Sequence, residues 1–288
     1  MRARAIADLA QLSDADLFST AARGLRLILA NGLNLWRGAL FAERSGHKQG
    51  AVILTGLAAE EAAKFHILLD AIRCPRGNRF SEHLRRHFYD HLARGIYAEH
   101  YDLSPSTFGE VKRIIRNSRV ALYLDGPEGF EWIFRNQIVE RREQQIYVDY
   151  IQSEDTHSWS RPVPLLLFPR HFPPRVLTVA RSLARAGFAT RLGLEVIAML
   201  WRPFAVDDAT SWGELNEKNF ETLKTLEASQ GLRPVSNDVI NSIINDWAFP
   251  IYSLDLTEDR SIDVNDLKRM RDEAEVRWMA RECGYPDY

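Results

Sequence analysis

The chain predicts an all-α fold: a helical bundle over residues 1–152, a proline-rich connector at 153–172 and a C-terminal helical region over 173–288. Three observations carry this. Apolar residues recur at helical spacing through most of the chain, runs of alternating strand pattern are nearly absent, and helix-start signals precede the periodic segments. The 288 residues, 45% of them hydrophobic, are enough to bury a sizeable core.

In chain order, Ser13 is a candidate N-cap with Asp14 and Asp16 in the following turn. Leu25, Leu29, Leu33, Trp36 and Leu40 then mark an amphipathic helix to about Arg44. Ser45–Lys48 is a break. Gly50–Arg73 is apolar on nearly every side and reads as a buried helix; Cys74–Phe80 breaks the chain again, and Ser81–Tyr97 reads as one more helix. Thr107–Tyr123 is a basic helix carrying Lys112, Arg113, Arg116 and Arg119. These four form the best local positive patch, a solvated face or a contact for RNA phosphates. Asp125–Gly129 is a turn. Phe130–Gln152 begins helical and ends in the β-branched and aromatic run Ile146–Ile151. Beyond the connector, helices are expected near Pro173–Ala186, Thr190–Trp201, Ser211–Gln230, Ser236–Trp247 and Asp263–Glu282, with Ser211 and Glu214 spaced as a capping box.

The stretch Ala51–His100 holds the chemistry. Glu60, Glu61 and Lys64 sit mid-helix in an apolar setting and, at about 100° per residue, share one quadrant. Buried charges persist only when paired, so something polar faces that quadrant. On the next helix Leu84, Phe88, Leu92 and Ile96 form an apolar stripe, while His83, Arg86, His87, Asp90, Arg94 and Tyr97 gather opposite. The expectation is a cluster of Glu61, Lys64, His83 and His87, with the first two buried. The plainer alternative is a Glu60–Lys64 helix salt bridge beside a wet histidine face. His66, with Thr55 and Asp70, reads as a satisfied core histidine.

The formal charge of −2 supplies no long-range pull on nucleic acid. Cys74 and Cys283 are too few for a disulfide framework or a cysteine-rich zinc site. The N-terminus shows no signal-peptide pattern, and no apolar run approaches the roughly 20 residues of a membrane span. The expectation is a soluble, reduced, cytoplasmic protein. P-loop, H-E-x-x-H, G-x-G-x-x-G and G-x-S-x-G patterns are missing. No metal and no cofactor are expected.

The element Ala58-Ala59-Glu60-Glu61-Ala62-Ala63-Lys64, then His83 to Arg86, then Ile146-Tyr147-Val148-Asp149-Tyr150, resembles the AbiV-like abortive-infection proteins of the HEPN superfamily, over about Leu17–Ile151. The resemblance implies a HEPN-like helical bundle, a homodimer, and a role in bacterial defence against phages that stops translation. Many HEPN domains are metal-independent ribonucleases with an arginine followed a few residues later by histidine. The matching position here runs from Arg142 to Tyr147, with tyrosine in place of histidine and Asp149 following. A tyrosine with ordinary pKa near 10 is a poor base at neutral pH. Arg86 to His91 and Arg94 to His100 share the spacing but lie on the earlier helix.

If the chain is an enzyme, His83 or His87 takes the ribose 2′-OH proton, Arg86 and Arg142 stabilise the phosphate, and Glu61 and Lys64 orient the set. The alternative is a non-catalytic defence module whose polar cluster binds a phage protein or the ribosome. A third class is a metal-dependent hydrolase using two of His83, His87 and His91 with Glu61. Arg142 and Tyr147 are about 140° apart on a regular helix and converge only where the helix ends between them.

Overall fold

The computed structural model describes residues 5–123, 133–134, 136–153, 156–162 and 172–259, with 265, 266, 269, 272, 273, 276 and 279. It is all-α. The expected turn at Asp125–Gly129 and the residues Phe130–Trp132 lie outside the described residues.

A 3-10 turn at Ile6–Gln11 leads into α1 (Asp14–Arg44) and α2 (Lys48–Arg73). Ser13 caps α1, its hydroxyl accepting from Asp16 N at 3.2 Å. The two long helices pack side by side along most of their length. Small residues on α2, Ala58, Ala62 and Ala63, are fully buried and let the backbones approach.

The single helix expected over Ser81–Tyr97 is two: α3 (Asn78–His87) and α4 (His91–His100). Asp90 is the cause. Its extended backbone interrupts the helix, and its carboxylate accepts from Ala93 N at 2.8 Å as the N-cap of α4. The apolar stripe survives the break, with Leu84, Phe88, Leu92 and Ile96 all buried. The polar face does not survive: His83 and His87 turn inward, while Arg86 turns out to pair with Glu82 at 2.9 Å.

Next come α5 (Phe108–Ser118), α6 (Gln137–Gln144) and two short antiparallel pairs, β1–β2 (Leu122–Tyr123, Ile133–Phe134) and β3–β4 (Asp149–Ser153, Thr156–Ser160). The segment read as the start of a helix at Phe130 is strand at Ile133–Phe134; helix begins only where Asn136 caps it, accepting from Ile138 N and Val139 N. The β-branched run near Ile146–Ile151 becomes β3.

The second half supplies α7 (Arg175–Ala186), α8 (Arg191–Trp201), α9 (Trp212–Ala228) and α10 (Asn237–Asp246). The Ser211–Glu214 capping box forms with both bonds. Gly187 ends α7 at φ 109°, where a Cβ would lie 2.5 Å from Gly231 O, so only glycine fits. In the stretch expected as a last charged helix, the described residues are helical. No helix among the described residues is long and apolar enough to cross a membrane.

One buried cluster draws on both halves: Leu25 and Phe65 from the first, Leu177, Leu183, Trp201 and Trp247 from the second. The connector at 153–172 therefore separates stretches of chain that share a core. Joining them is an irregular segment, Trp247–Ile251, buried throughout. Buried backbone outside helix or sheet must find side-chain partners. Asn219 Nδ2 donates to Trp247 O (2.9 Å), Arg73 Nη1 to Ala248 O (3.0 Å) and His100 Nε2 to Phe249 O (3.1 Å), while Asp70 Oδ2 accepts from Ile251 N (2.9 Å).

Asp70 also accepts from the Tyr97 hydroxyl at 2.8 Å and from Arg73 at 3.1 Å. The Arg73 guanidinium lies against Trp247 at 3.7 Å and Trp201 at 4.0 Å, two adjacent indoles that offer it cation–π contact. Asp70→Ala would leave this cation buried and uncompensated and orphan the Ile251 N–H. It should destabilise the fold by about 3–5 kcal/mol, read from urea denaturation. The double change Asp70→Leu with Arg73→Met should cost less than the sum of the single changes.

Candidate functional site

The polar residues of Ala51–His100 separate into a buried network and a cleft. In the buried network His66, on α2, donates from Nε2 to Val176 O (2.9 Å) and accepts at Nδ1 from the Tyr101 hydroxyl (2.7 Å). His83 Nε2 donates to Ile67 O at 2.9 Å, which leaves its Nδ1 to accept from His87 Nδ1 at 3.0 Å. The neutral His87 then presents an Nε2 lone pair that is buried without a partner. Burial lowers the pKa of His66 and of His87 to about 3, and lowers those of His83 and His100. Burial also raises Tyr97 and Tyr101 well above the ordinary phenol range and the Cys74 thiol to about 11. These groups are buried and held neutral; His66, His83 and His100 hold backbone carbonyls, while His87, Tyr97 and Tyr101 bond other side chains.

The expected union of Glu61, Lys64, His83 and His87 does not form as one bonded cluster. Glu61 and Lys64 pair with each other at 2.7 Å and are half-buried, their side chains 15% and 21% exposed. Lys64 lies over the Phe88 ring at 5.9 Å, and His83 and His87 belong to the interior.

The carboxylate that gathers charge is Glu60. Its Oε1 accepts from Arg142 Nε at 2.9 Å, and its Oε2 meets His91 Nδ1 at 2.9 Å and Arg94 Nη1 at 3.3 Å. Arg94, mostly buried, has its pKa lowered by desolvation, which Glu60 and Glu61 oppose. The signal for Glu60 was present, since it occupies the same quadrant as Glu61. What was missing was the break at Asp90, which sends His91 and Arg94 toward Glu60 and His83 away from Glu61.

Arg142 belongs to α6, a helix with no buried residue. Val139 packs against the core, and three further contacts seat the helix at α2 and α4. Arg142 meets Glu60, Arg141 meets Glu99 at 3.2 Å, and Ile138 rests on Gly95, where a Cβ would come within 2.2 Å of Ile138 Cγ2. The helix ends at Gln144, with Ile146 N and Tyr147 N both donating to Glu143 O. The end falls between Arg142 and Tyr147, yet the side chains diverge: Arg142 reaches Glu60 and Tyr147 is 56% exposed. Asp149 opens β3; its side chain lies outside the described residues.

Between α2, α4, α6 and the start of α7 is a cleft of about 450 Å3. Val52, Ile53, Gly56 and Val176 contribute apolar floor, and Glu60, Glu99, Arg141 and Arg142 lie at its polar edge. Burial raises the Glu99 pKa, against the lowering effect of Arg141. Its lining mixes apolar side chains with charged ones.

The basic helix α5 is largely engaged within the chain. Lys112 pairs with Asp208 (2.6 Å), Arg113 with Glu110 (3.2 Å), and Arg119 with Asp255 (2.6 Å) and Thr257 O (2.7 Å); Arg116 is exposed. Of the patch read as a solvated face or a phosphate contact, Lys112 and Arg119 tie α5 to the second half, and Arg113 pairs within its own helix. Among the described residues no three His, Cys, Asp or Glu side chains converge as a metal-ligand set.

The four buried histidines set an acid response. Their folded pKa values lie below the unfolded value near 6.5, so the unfolded chain takes up protons first. Their contribution to stability is present above pH 6.5 and is lost as pH falls below it, down to about 3 for His66 and His87, whose slope reaches about 1.4 kcal/mol per pH unit each. Urea unfolding at pH 7 and pH 5 should show the drop; equal stability at the two values would refute neutral burial. A second expectation concerns α6. Gly95→Ala should push Ile138 off α4, so that hydrogen exchange over 137–144 accelerates while that of α2 is unchanged.

Comparison of the chain with protein-family models, with curated proteins and with solved structures returned no match.

Proposed function

We propose that the protein is an anti-phage defence module of the AbiV-like, HEPN-superfamily kind, cytoplasmic and homodimeric, that acts by binding a partner through the α2–α4–α6 cleft rather than by cutting RNA. The observation that carries this reading is the position of the histidines. His83 and His87, the acid–base candidates, are buried, hydrogen-bonded within the scaffold and depressed in pKa. A general base must reach its substrate proton and have a pKa near the working pH. At the motif-like position stands Tyr147, exposed and apart from Arg142. Arg142, about one-third exposed beside the cleft, is available to a partner.

A second reading, a metal-independent ribonuclease, draws on that same accessibility, since a guanidinium there can meet a phosphate. The two readings part in one experiment. Cells carrying wild-type protein, Arg142→Ala or Tyr147→Phe are infected; phage yield and total RNA are followed, and melting curves are recorded on the purified proteins. The binding reading expects phage yield to fall with wild type while RNA stays intact, and expects Arg142→Ala to lose protection with an unchanged melting curve. RNA fragments that appear with wild type and vanish with Tyr147→Phe would overturn it in favour of the ribonuclease.

A further inference from the structure

We propose that the outer face of α1 lies on an anionic lipid surface, its arginines among the headgroups and Leu27 and Phe41 reaching below them. This is a surface other than the cleft, and it stands whether or not the cleft binds a partner.

The charge of the chain is unevenly placed. Its formal charge is −2, yet from Leu17 to Ala59 it carries five basic residues and one acid. Four of the bases, Arg23, Arg26, Arg37 and Arg44, are on α1, and all four are exposed. At about 100° per residue their directions fall within roughly 60° of arc, on the side away from the buried Leu25, Gly32 and Ala39. Glu43, the one acid, turns toward the core side, about 100° from Arg44. Among the described residues none of the four arginines has a carboxylate partner; Arg37 donates to Asn34 Oδ1 at 2.9 Å. Cations on other helices are paired, Lys112 with Asp208, Arg175 with Asp246 and Arg202 with Asp14. From Arg23 to Arg44 the unpaired stripe runs about 30 Å along the helix. An unpaired positive stripe of this length complements an extended anionic surface.

Two apolar side chains among these charges select lipid. Leu27 is 63% and Phe41 74% exposed, and both point within about 40° of Arg23. A nucleic acid would engage the arginines but offers no apolar layer to Leu27. A second copy meeting this face with the same face would set arginine against arginine. A lipid surface suits both kinds of group. Headgroup phosphates accept from the guanidinium forks, and the apolar side chains between them reach the acyl boundary. The arginine stems lie along that boundary while their charged ends stay in the headgroup layer. A basic patch joined to apolar insertion is the two-signal combination that holds a protein at an anionic bilayer, where one signal alone is weak.

Co-sedimentation of the full chain with phosphatidylcholine vesicles, with and without phosphatidylglycerol, tests this. The protein should pellet with the vesicles that contain phosphatidylglycerol and stay in solution with phosphatidylcholine alone. Arg37→Gln with Arg44→Gln should weaken vesicle binding about tenfold or more. Leu27→Gln with Phe41→Gln should do the same by removing the apolar insertion. All four positions are exposed and glutamine is a good helix former, so the melting curves of both double variants should match wild type. A labelled RNA duplex and a labelled DNA duplex serve as the competing polyanions and should be captured more weakly than the vesicles. Equal pelleting with and without phosphatidylglycerol, full vesicle binding by the Leu27 and Phe41 double variant, or capture of either duplex more tightly than the vesicles would overturn the proposal.

Discussion

The carboxylate of Asp70 is the constraint on which the rest of the structure depends. It lies in the interior, accepting from Ile251 N, the Tyr97 hydroxyl and the Arg73 guanidinium. Those bonds tie α2 to α4 and to the irregular segment Trp247–Ile251, which brings the last helices onto the first two. An extended segment cannot satisfy its own backbone, and in the interior no water does so for it. The fold answers with polar side chains on regular helices: Asp70, Arg73, His100 and Asn219 each hold one backbone group of that segment. Arg73 pairs with Asp70, and Trp201 and Trp247 lie against Arg73.

This explains why residues that look like chemistry are architecture. A histidine donating to a carbonyl is a neutral, directional donor that fits an apolar interior better than lysine does. His66, His83 and His100 each fill that role, to Val176 O, Ile67 O and Phe249 O. The cost is a dependence on pH, because a neutral buried imidazole has no stable charged form there.

The cleft follows the opposite logic. Its charges are paired across separate elements, α2 with α4 and α6, and several are partly exposed. Its outer wall, α6, has no fully buried residue and rests on partly buried Ile138 and Val139, a glycine notch and two ion pairs. Contacts of that kind open at lower free energy than a packed core. Rigid support on α2 and α4 with a loosely seated third wall is the arrangement in which a ligand can change the structure without disturbing the fold.

The sequence by itself determined the all-α class, the long apolar helices, the capping box at Ser211–Glu214 and the presence of a polar quadrant on α2. Each is written in local spacing, which a helix converts directly into a face. It also permitted a helix end between Arg142 and Tyr147, because helix formers give way there to β-branched and aromatic residues. Which polar residue meets which was decided by the tertiary structure. The break at Asp90 is short and its signal, a single aspartate, is weak in sequence; yet it rotates α4 against α3, sends His83 and His87 to the core and directs Arg94 and His91 to Glu60. Likewise nothing local to Asp70 or His100 announces the segment near Trp247–Ile251, far along the chain, whose backbone they hold. Periodicity reports what one helix shows to its surroundings, and only packing decides what those surroundings are.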